Sequence, residues 1–461
     1  MRMHAKHDAS LEGEAPPQDK VRLTGPGLII AAPSTGSGKT VLTLGLLRAL
    51  VDRRIAVAGA KVGPDYIDPA FLAAASGAPC PNLDLWAMRP DTLADRIAAL
   101  GRSELILCEG VMGLFDGASV PAGQASGSTA ELAALSGWPV ILVIDAGRQG
   151  ASAAALLRGF ATHRADIAVA GAIFNRVSGE SHRATIAEAC RVALPDLPIL
   201  GWLPRDASLA LPERHLGLVQ ARETIDLEDR IKRAARLVAA NIDIAALIRL
   251  ARPSPLAAGD AGPPIPPLGQ RIAVARDDAF AFIYAELLDG WRTAGAELSF
   301  FSPLADEAPA PDADAIYLPG GYPELHAARL TGAEHFLGSM RTRAQSGAAI
   351  LGECGGAMVL GETLEDVDGV THAMAGLLKF ATSFKTRKLH LGYRACTLTQ
   401  DTPLGRAGAA FRAHEFHYAS TLAADGPPLF QVTDARGRAF GPTGLVAGRT
   451  MGSFLHLIDR A

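Results

Sequence analysis

The stretch Pro33-Ser34-Thr35-Gly36-Ser37-Gly38-Lys39-Thr40 narrows the choice of fold more than any other in this chain. A continuous apolar run, Leu28–Ala32, enters it, and Thr40–Val51 leaves it with apolar residues at helical spacing. Strand, glycine-rich turn and helix together make a phosphate cradle. Backbone N–H groups of Gly36, Ser37 and Gly38 would wrap the phosphates of ATP, Lys39 would reach the β and γ oxygens, and the Thr40 hydroxyl would hold Mg²⁺. Pro33 stands where such loops usually have their first glycine, so the entry differs from the common form. Further strands are expected at Ile55–Ala60, Leu105–Glu109, Val140–Asp145 and Ala168–Phe174. Helical stretches separate them, among them Asp91–Leu100 and Thr129–Leu135, the latter opening with Ser128 and Glu131 at capping-box spacing. Strands alternating with helices predict an α/β fold with a doubly wound parallel sheet.

A phosphate cradle needs a carboxylate at the end of a neighbouring strand to complete its metal site. Glu109 supplies one, followed by a loop with glycines at 110, 113 and 117 that keep it close to a ligand or another backbone. Asp116 lies at the far end of that loop and, taken alone, reads as a turn residue satisfied by its own backbone. Asp65 and Asp68 follow the strand Ile55–Ala60 and Lys61, at the strand ends where open α/β sheets bind ligands. Carboxylates beside a triphosphate repel it unless one serves the metal or positions a second substrate. Asn175, ending the strand Ala168–Phe174, could read a nucleotide base through its amide or cap the next turn.

At 461 residues the chain is long enough for two to three domains, at about 100–200 residues each. Residues 1–24 read as a disordered tail and 25–250 as the nucleotide-binding domain. Residues 251–269 are rich in Pro, Gly and Ala and read as an exposed, semi-stiff linker. In 270–461 the rhythm restarts with Ile272–Ala275, Ala315–Pro319 and Ala348–Gly352, then turns strand-rich towards Leu389–Thr399 and Leu445–Phe454.

The run Ala348–Gly352 ends in Glu353-Cys354-Gly355-Gly356, the outline of a nucleophile elbow. Flanking glycines permit the strained turn, and the helix that follows aims N–H groups at the thiol, which would ionise more easily there. The alternative is a small buried apolar cysteine. A thiol nucleophile needs a base, and His372, His390, His414, His417 and His456 all lie downstream. His456 follows the apolar run Met451–Leu455 near the chain end, which suits a residue emerging beside the elbow. The paired glycines in Leu318-Pro319-Gly320-Gly321-Tyr322 can turn backbone N–H groups into an oxyanion hole, with Gly321 and Gly355 as its donors. The basic segment Lys385-Thr386-Arg387-Lys388 is read as a strand edge, either solvated or facing an anionic substrate.

Composition excludes several classes. With 44 basic and 48 acidic residues the net charge is −4, too near neutral for a binder that works by electrostatics alone, and no nucleic acid or membrane partner is expected. Five scattered cysteines without a C-x-x-C pair argue against a disulfide frame or zinc site and for a reducing cytoplasm. The N-terminus lacks a secretory apolar core, and no apolar run reaches the roughly 18 residues needed to span a bilayer.

The stretches APSTGSGKT, KVGPDYIDP, EGVMGLFDG, FNRV, LPGGYPELH, GECGGAM, KLHLGYR and HEFHY together resemble the cobyrinate and hydrogenobyrinate a,c-diamide synthases. The resemblance runs over essentially everything except the tail and linker. It implies a dethiobiotin-synthetase-like P-loop domain followed by a flavodoxin-like class I glutamine amidotransferase domain. It also implies Cys354 as the glutamine nucleophile with His456 as its base, and Lys39 and Thr40 at ATP and Mg²⁺. Glu109 would hold the metal, Asn175 the adenine, and Lys61, Asp65, Asp68 and Asp116 the region of carboxylate activation. The implied partners are hydrogenobyrinate or cobyrinate, with the cobalt-free ring preferred, together with ATP and glutamine; a homodimer is left open. Ammonia released from glutamine would displace phosphate from an acyl phosphate at the a and c carboxylates. Class I amidotransferases usually place a glutamate two residues after the histidine, where this chain has Ile458, and Asp459 would face the other way in an extended segment. Competing readings are a related corrinoid amidase such as cobyric acid synthase, and a P-loop regulatory ATPase with a glutamine-sensing domain.

Overall fold

A computed structural model describes residues 25–214 and 217–461; the expected tail, 1–24, lies outside the described residues. The front half is built on seven parallel strands in the order Asn82–Leu83, Val57–Val62, Leu105–Glu109, Pro26–Ala31, Val140–Asp145, Val169–Val177 and Ile199–Pro204. Leu28, Ile29 and Ile30 are fully buried, as are Ile141 to Ile144. Continuous apolar runs are what a sheet covered on both faces requires. The first strand lies centrally, between Leu105–Glu109 and Val140–Asp145, so the cradle that follows it opens beside Glu109. Ser128 and Glu131 form the expected capping box at the start of the helix Thr129–Ser136. The strand expected to stop at Phe174 runs on to Val177, so Asn175 sits within it, paired with Asp145.

The back half carries a second sheet in the order Glu297–Phe301, Arg271–Ala275, Ala315–Leu318, Ala349–Glu353, Thr450–Ser453 and Leu445–Ala447. The first five strands are parallel, in the flavodoxin-like order, and the last is antiparallel. The strand-rich stretch expected towards Leu445–Phe454 is a hairpin, reversed where Gly448 takes φ 62°. Against this sheet the strand-rich C-terminal part forms a five-stranded antiparallel sheet. It runs Ala439–Thr443, Phe430–Asp434, His390–Leu398, Ala410–His417 and Leu455–Arg460. Lys385–Lys388 is not a strand but an exposed connection between Lys379–Ser383 and His390–Leu398. Four consecutive polar residues have no apolar face to bury.

The segment 251–269, expected to be exposed, is so over most of 252–260 but is packed from Ala261 onwards. Ala261, Ile265 and Leu268 are buried, and Arg252–Pro253 pairs antiparallel with the start of the first strand. Asp95 accepts from the N–H groups of Gly259 and Ala261. The proline-rich composition was read for stiffness, but its isolated apolar side chains find a groove only in the assembled molecule. The two halves also meet directly. Tyr284 Oη donates to Pro64 O at 2.8 Å, Tyr393 Oη to Asp84 Oδ2 at 2.8 Å, and Trp86 stacks on Tyr393 at 4.5 Å. Arg89 holds the fully buried Asp459 through its backbone N–H at 2.9 Å and its guanidinium at 3.0 Å.

Candidate active site

The phosphate cradle is folded as the sequence leads one to expect. Gly38 takes φ 90°, and a Cβ there would lie 2.3 Å from Asn175 Nδ2. Asn175 donates to Ser37 O at 3.0 Å, which ties the strand Val169–Val177 to the loop. A cavity of about 310 Å³ opens from this point, lined by Gly38, Val41, Asn175, Arg176, Leu203 and Arg205. Lys39 begins the helix and its ammonium donates to Met112 O at 2.6 Å. Gly113 explains how the 110–117 loop comes so near, because a Cβ there would sit 2.6 Å from Pro33 O. Asp116 does what its turn position suggests: its carboxylate accepts from Gly113 N at 2.9 Å.

Thr40 Oγ1 donates to Glu109 Oε1 at 2.7 Å, while Glu109 Oε2 is buried without a hydrogen-bond partner among the described residues. A hydroxyl and a carboxylate with one orphaned oxygen, beside a phosphate cradle, suit a hard cation such as Mg²⁺. Lys61 Nζ bridges Asp68 at 2.6 Å and Glu109 at 3.0 Å. Burial opposes its charge, but the two carboxylates outweigh it and hold its pKa well above the usual lysine range. Asp65 Oδ1 accepts from the N–H groups of Ile67 at 2.7 Å and Asp68 at 3.0 Å. Burial, then the charge of Asp68, pushes the Asp65 carboxyl up to about 7. Lys61, Asp65, Asp68, Thr40 and Glu109 thus form one network, whereas Asp116 stands apart on an exposed turn.

The second centre is the elbow. Cys354 takes φ 47° and ψ −109°, a strained conformation for a residue with a side chain, between the strand Ala349–Glu353 and the helix Gly355–Leu360. Only glycine fits at 356, where a Cβ would meet Leu318 O at 2.0 Å. The Gly355 N–H is directed at the thiol, and a Cβ on Gly355 would lie 3.1 Å from Gly321 N. The two expected oxyanion donors are therefore neighbours.

Among the five histidines, position selects His456. A Cβ built on Gly320 would lie 2.3 Å from His456 Cε1 and 3.2 Å from Cys354 Cβ, so the two side chains both border that glycine. His372 pairs with Asp366 at 2.7 Å, and His417 with Glu415 at 3.0 Å while stacking on His390. His414 lies opposite His456 in strand register, with Nδ1 unbonded among the described residues. The expectation of an easily ionised thiol is not met in this conformation. Burial raises the Cys354 pKa far above its usual range despite the Gly355 N–H, and burial, then His414 and His417, lowers His456 to about 3. Neither ring nitrogen of His456 has a hydrogen-bond partner among the described residues.

Among the described residues, no carboxylate hydrogen-bonds His456 in the vacant third position. Ile458 is buried, Asp459 is committed to Arg89, and Glu353 accepts from Tyr317 Oη at 2.7 Å and Leu457 N at 3.1 Å. Burial pushes Glu353 up to about 7. The imidazole instead packs against Tyr66 of the front half, ring centroids 4.7 Å apart and tilted 32°. Sequence reasoning passed over Tyr66; an aromatic between Asp65 and Asp68 was the available signal. Beyond Tyr66 lies a cleft of about 400 Å³ between the halves, lined by Asp65, Tyr66, Val111, Tyr393, Arg394 and His414 among others. Arg394 was also missed, and Lys385 and Arg387 do not line this cleft.

Comparison with known proteins agrees with this division. Residues 28–219 match the CobQ/CobB/MinD/ParA nucleotide binding domain, and 271–460 the CobB/CobQ-like glutamine amidotransferase domain. Hydrogenobyrinate a,c-diamide synthase of Brucella anthropi is 52% identical over 440 residues, covering 94% of this chain and 98% of that protein. The Rhizobium meliloti enzyme of the same name is 52% identical over 436 residues, covering 94% and 99%. That of Rhodobacter capsulatus is 50% identical over 434 residues, covering 94% and 98%. With a nucleotide-binding half, an amidotransferase half and identity at this level along nearly the whole length, the chain belongs to the hydrogenobyrinate a,c-diamide synthase family.

Proposed function

We propose that this protein amidates the a and c carboxylates of hydrogenobyrinate, a step of cobalamin biosynthesis, using ATP and glutamine. The observation that carries the reading is the cleft between the halves, because it borders both the Lys61–Asp68 network and the Cys354–His456 dyad through Tyr66. Residues 25–250 are the synthetase unit and 270–461 the amidotransferase unit. Arg436 in the cleft wall suits a ring edged with carboxylates, whereas the Arg394 guanidinium is already paired with Glu415.

A carboxylate is a poor acyl donor, so one must first be activated. Lys39 and the Gly36–Thr40 amides orient the triphosphate, and Asn175, in the wall of the adjoining cavity, contacts the adenine. Asp65 and Asp68, held by backbone N–H groups and by Lys61, border the place where a ring carboxylate attacks the γ-phosphorus. Mg²⁺, held by Thr40 and Glu109, would supply charge neutralisation as the phosphoryl group moves. At the other centre, Cys354 passes its proton to His456 and its sulfur attacks the glutamine carboxamide carbon. The Gly321 and Gly355 N–H groups receive the developing oxyanion. His456 returns the proton to the leaving nitrogen, ammonia departs, and water cleaves the thioester to glutamate. Ammonia then forms the C–N bond at the acyl phosphate as the C–O bond to phosphate breaks.

Cys354→Ala tests this division of labour. Glutamine-driven amidation should vanish, while ammonia-driven amidation and corrinoid-dependent ATP hydrolysis persist, with product mass showing two amidations. Loss of the ammonia-driven reaction in a folded protein refutes the two-centre reading.

A further inference from the structure

A glutaminase histidine needs something to fix its ring, and here hydrogen bonding does not. His456 is 1% exposed, yet both ring nitrogens are without partners among the described residues, and Ile458 occupies the position where a carboxylate would hold it. Packing confines the ring at two contacts. One is the Gly320 backbone, so close that a Cβ there would be 2.3 Å from Cε1. The other is the Tyr66 ring, itself packed against Phe282 at 4.5 Å and Tyr284 at 5.9 Å. Tyr66 belongs to the loop whose neighbours Asp65 and Asp68 are anchored through Lys61 to Glu109. Its hydroxyl is buried with no hydrogen-bond partner among the described residues, so the aromatic face is what the site uses.

We infer that Tyr66, contributed by the synthetase half, is the positioning residue of the glutaminase dyad, clamping the His456 imidazole in place of the missing triad carboxylate. The inference rests on the reading of Cys354 and His456 as that dyad. A flat ring laid against the imidazole restricts its tilt and its distance from the thiol. It does so only while the two halves are docked, so the glutaminase centre is completed by the domain that consumes its ammonia.

The test uses the full chain without corrinoid, so that substrate contacts of Tyr66 in the cleft do not enter. Glutamate release is measured against glutamine concentration for wild type, Tyr66→Phe, Tyr66→Leu, Cys354→Ala and His456→Ala. Tyr66→Leu should lower kcat by about 10- to 100-fold with the glutamine KM unchanged, the scale expected for a misplaced catalytic group. Tyr66→Phe keeps the ring and should retain wild-type kcat, an outcome that a role for the hydroxyl would not give. Tyr66→Met replaces Tyr66→Leu if that variant does not fold. Wild-type kcat in Tyr66→Leu, or a faster rate signifying a latch, overturns the clamp while the Cys354→Ala and His456→Ala variants stay inactive. Activity in either of those two variants overturns the dyad itself.

Discussion

Gly320 offers the sharpest test of how thiol and imidazole are arranged. A methyl group added there would stand 2.3 Å from His456 Cε1, 3.0 Å from Nε2 and 3.2 Å from Cys354 Cβ. Ordinary contact begins near 3.4 Å, so the imidazole must retreat by roughly 1 Å, and a displacement of that size can cost about 100-fold in rate. The corresponding loss in transition-state stabilisation is about 2.7 kcal/mol. The ring is buried and in contact with Tyr66, which limits its relaxation. Gly320 is not among the glycines at positive φ, so alanine is compatible with its backbone, and the expected stability cost is that of overpacking, about 1–3 kcal/mol. Gly320→Ala should therefore lose glutamine-driven amidation by about 100-fold while ammonia-driven amidation, which bypasses the dyad, is retained. Both rates are read from the same preparation by product mass. Equal glutamine-driven rates in Gly320→Ala and wild type would refute this geometry.

Two further outcomes follow from buried charge. Arg89→Ala strips the fully buried Asp459 of its guanidinium and should cost about 3 kcal/mol, read as a lowered thermal midpoint; an unchanged midpoint would show that the pair does not hold the halves together. Burial raises Glu353 to about 7 from an ordinary 4.5, so between those values the folded chain keeps a proton that the unfolded chain has lost. Stability should accordingly fall as pH rises through that window, by about 3 kcal/mol in all for this group. Denaturant titrations of Glu353→Gln should show a shallower decline than wild type; parallel curves would assign the pH dependence elsewhere.

Much of the molecule was legible from local chemistry. Apolar runs separated by helical stretches predicted the parallel sheets, because a strand covered on both faces has no polar side to show. The cradle at Gly36–Thr40, the capping box at Ser128 and Glu131, and the elbow at Cys354 each depend on residues adjacent in the chain, so short patterns carry them. The misreadings fall where the answer depends on distant partners. Segment 251–269 has a linker's composition, yet Ala261, Ile265 and Leu268 within it are buried, and Lys385–Lys388, expected at a strand edge, is an exposed connection.

The sequence by itself determined two α/β halves, a strand, glycine-rich turn and helix at Gly36–Thr40 in one, and in the other an elbow at Cys354 with five candidate histidines downstream. It could not determine the protonation of the resting dyad, because burial of the thiol and imidazole is set by everything packed around them. Nor could it supply what stands in for the absent glutamate. Tyr66 lies 390 positions before His456 in the numbering and reaches it only because the domains dock, and a contact between two rings so far apart in the chain leaves no spacing pattern to be read.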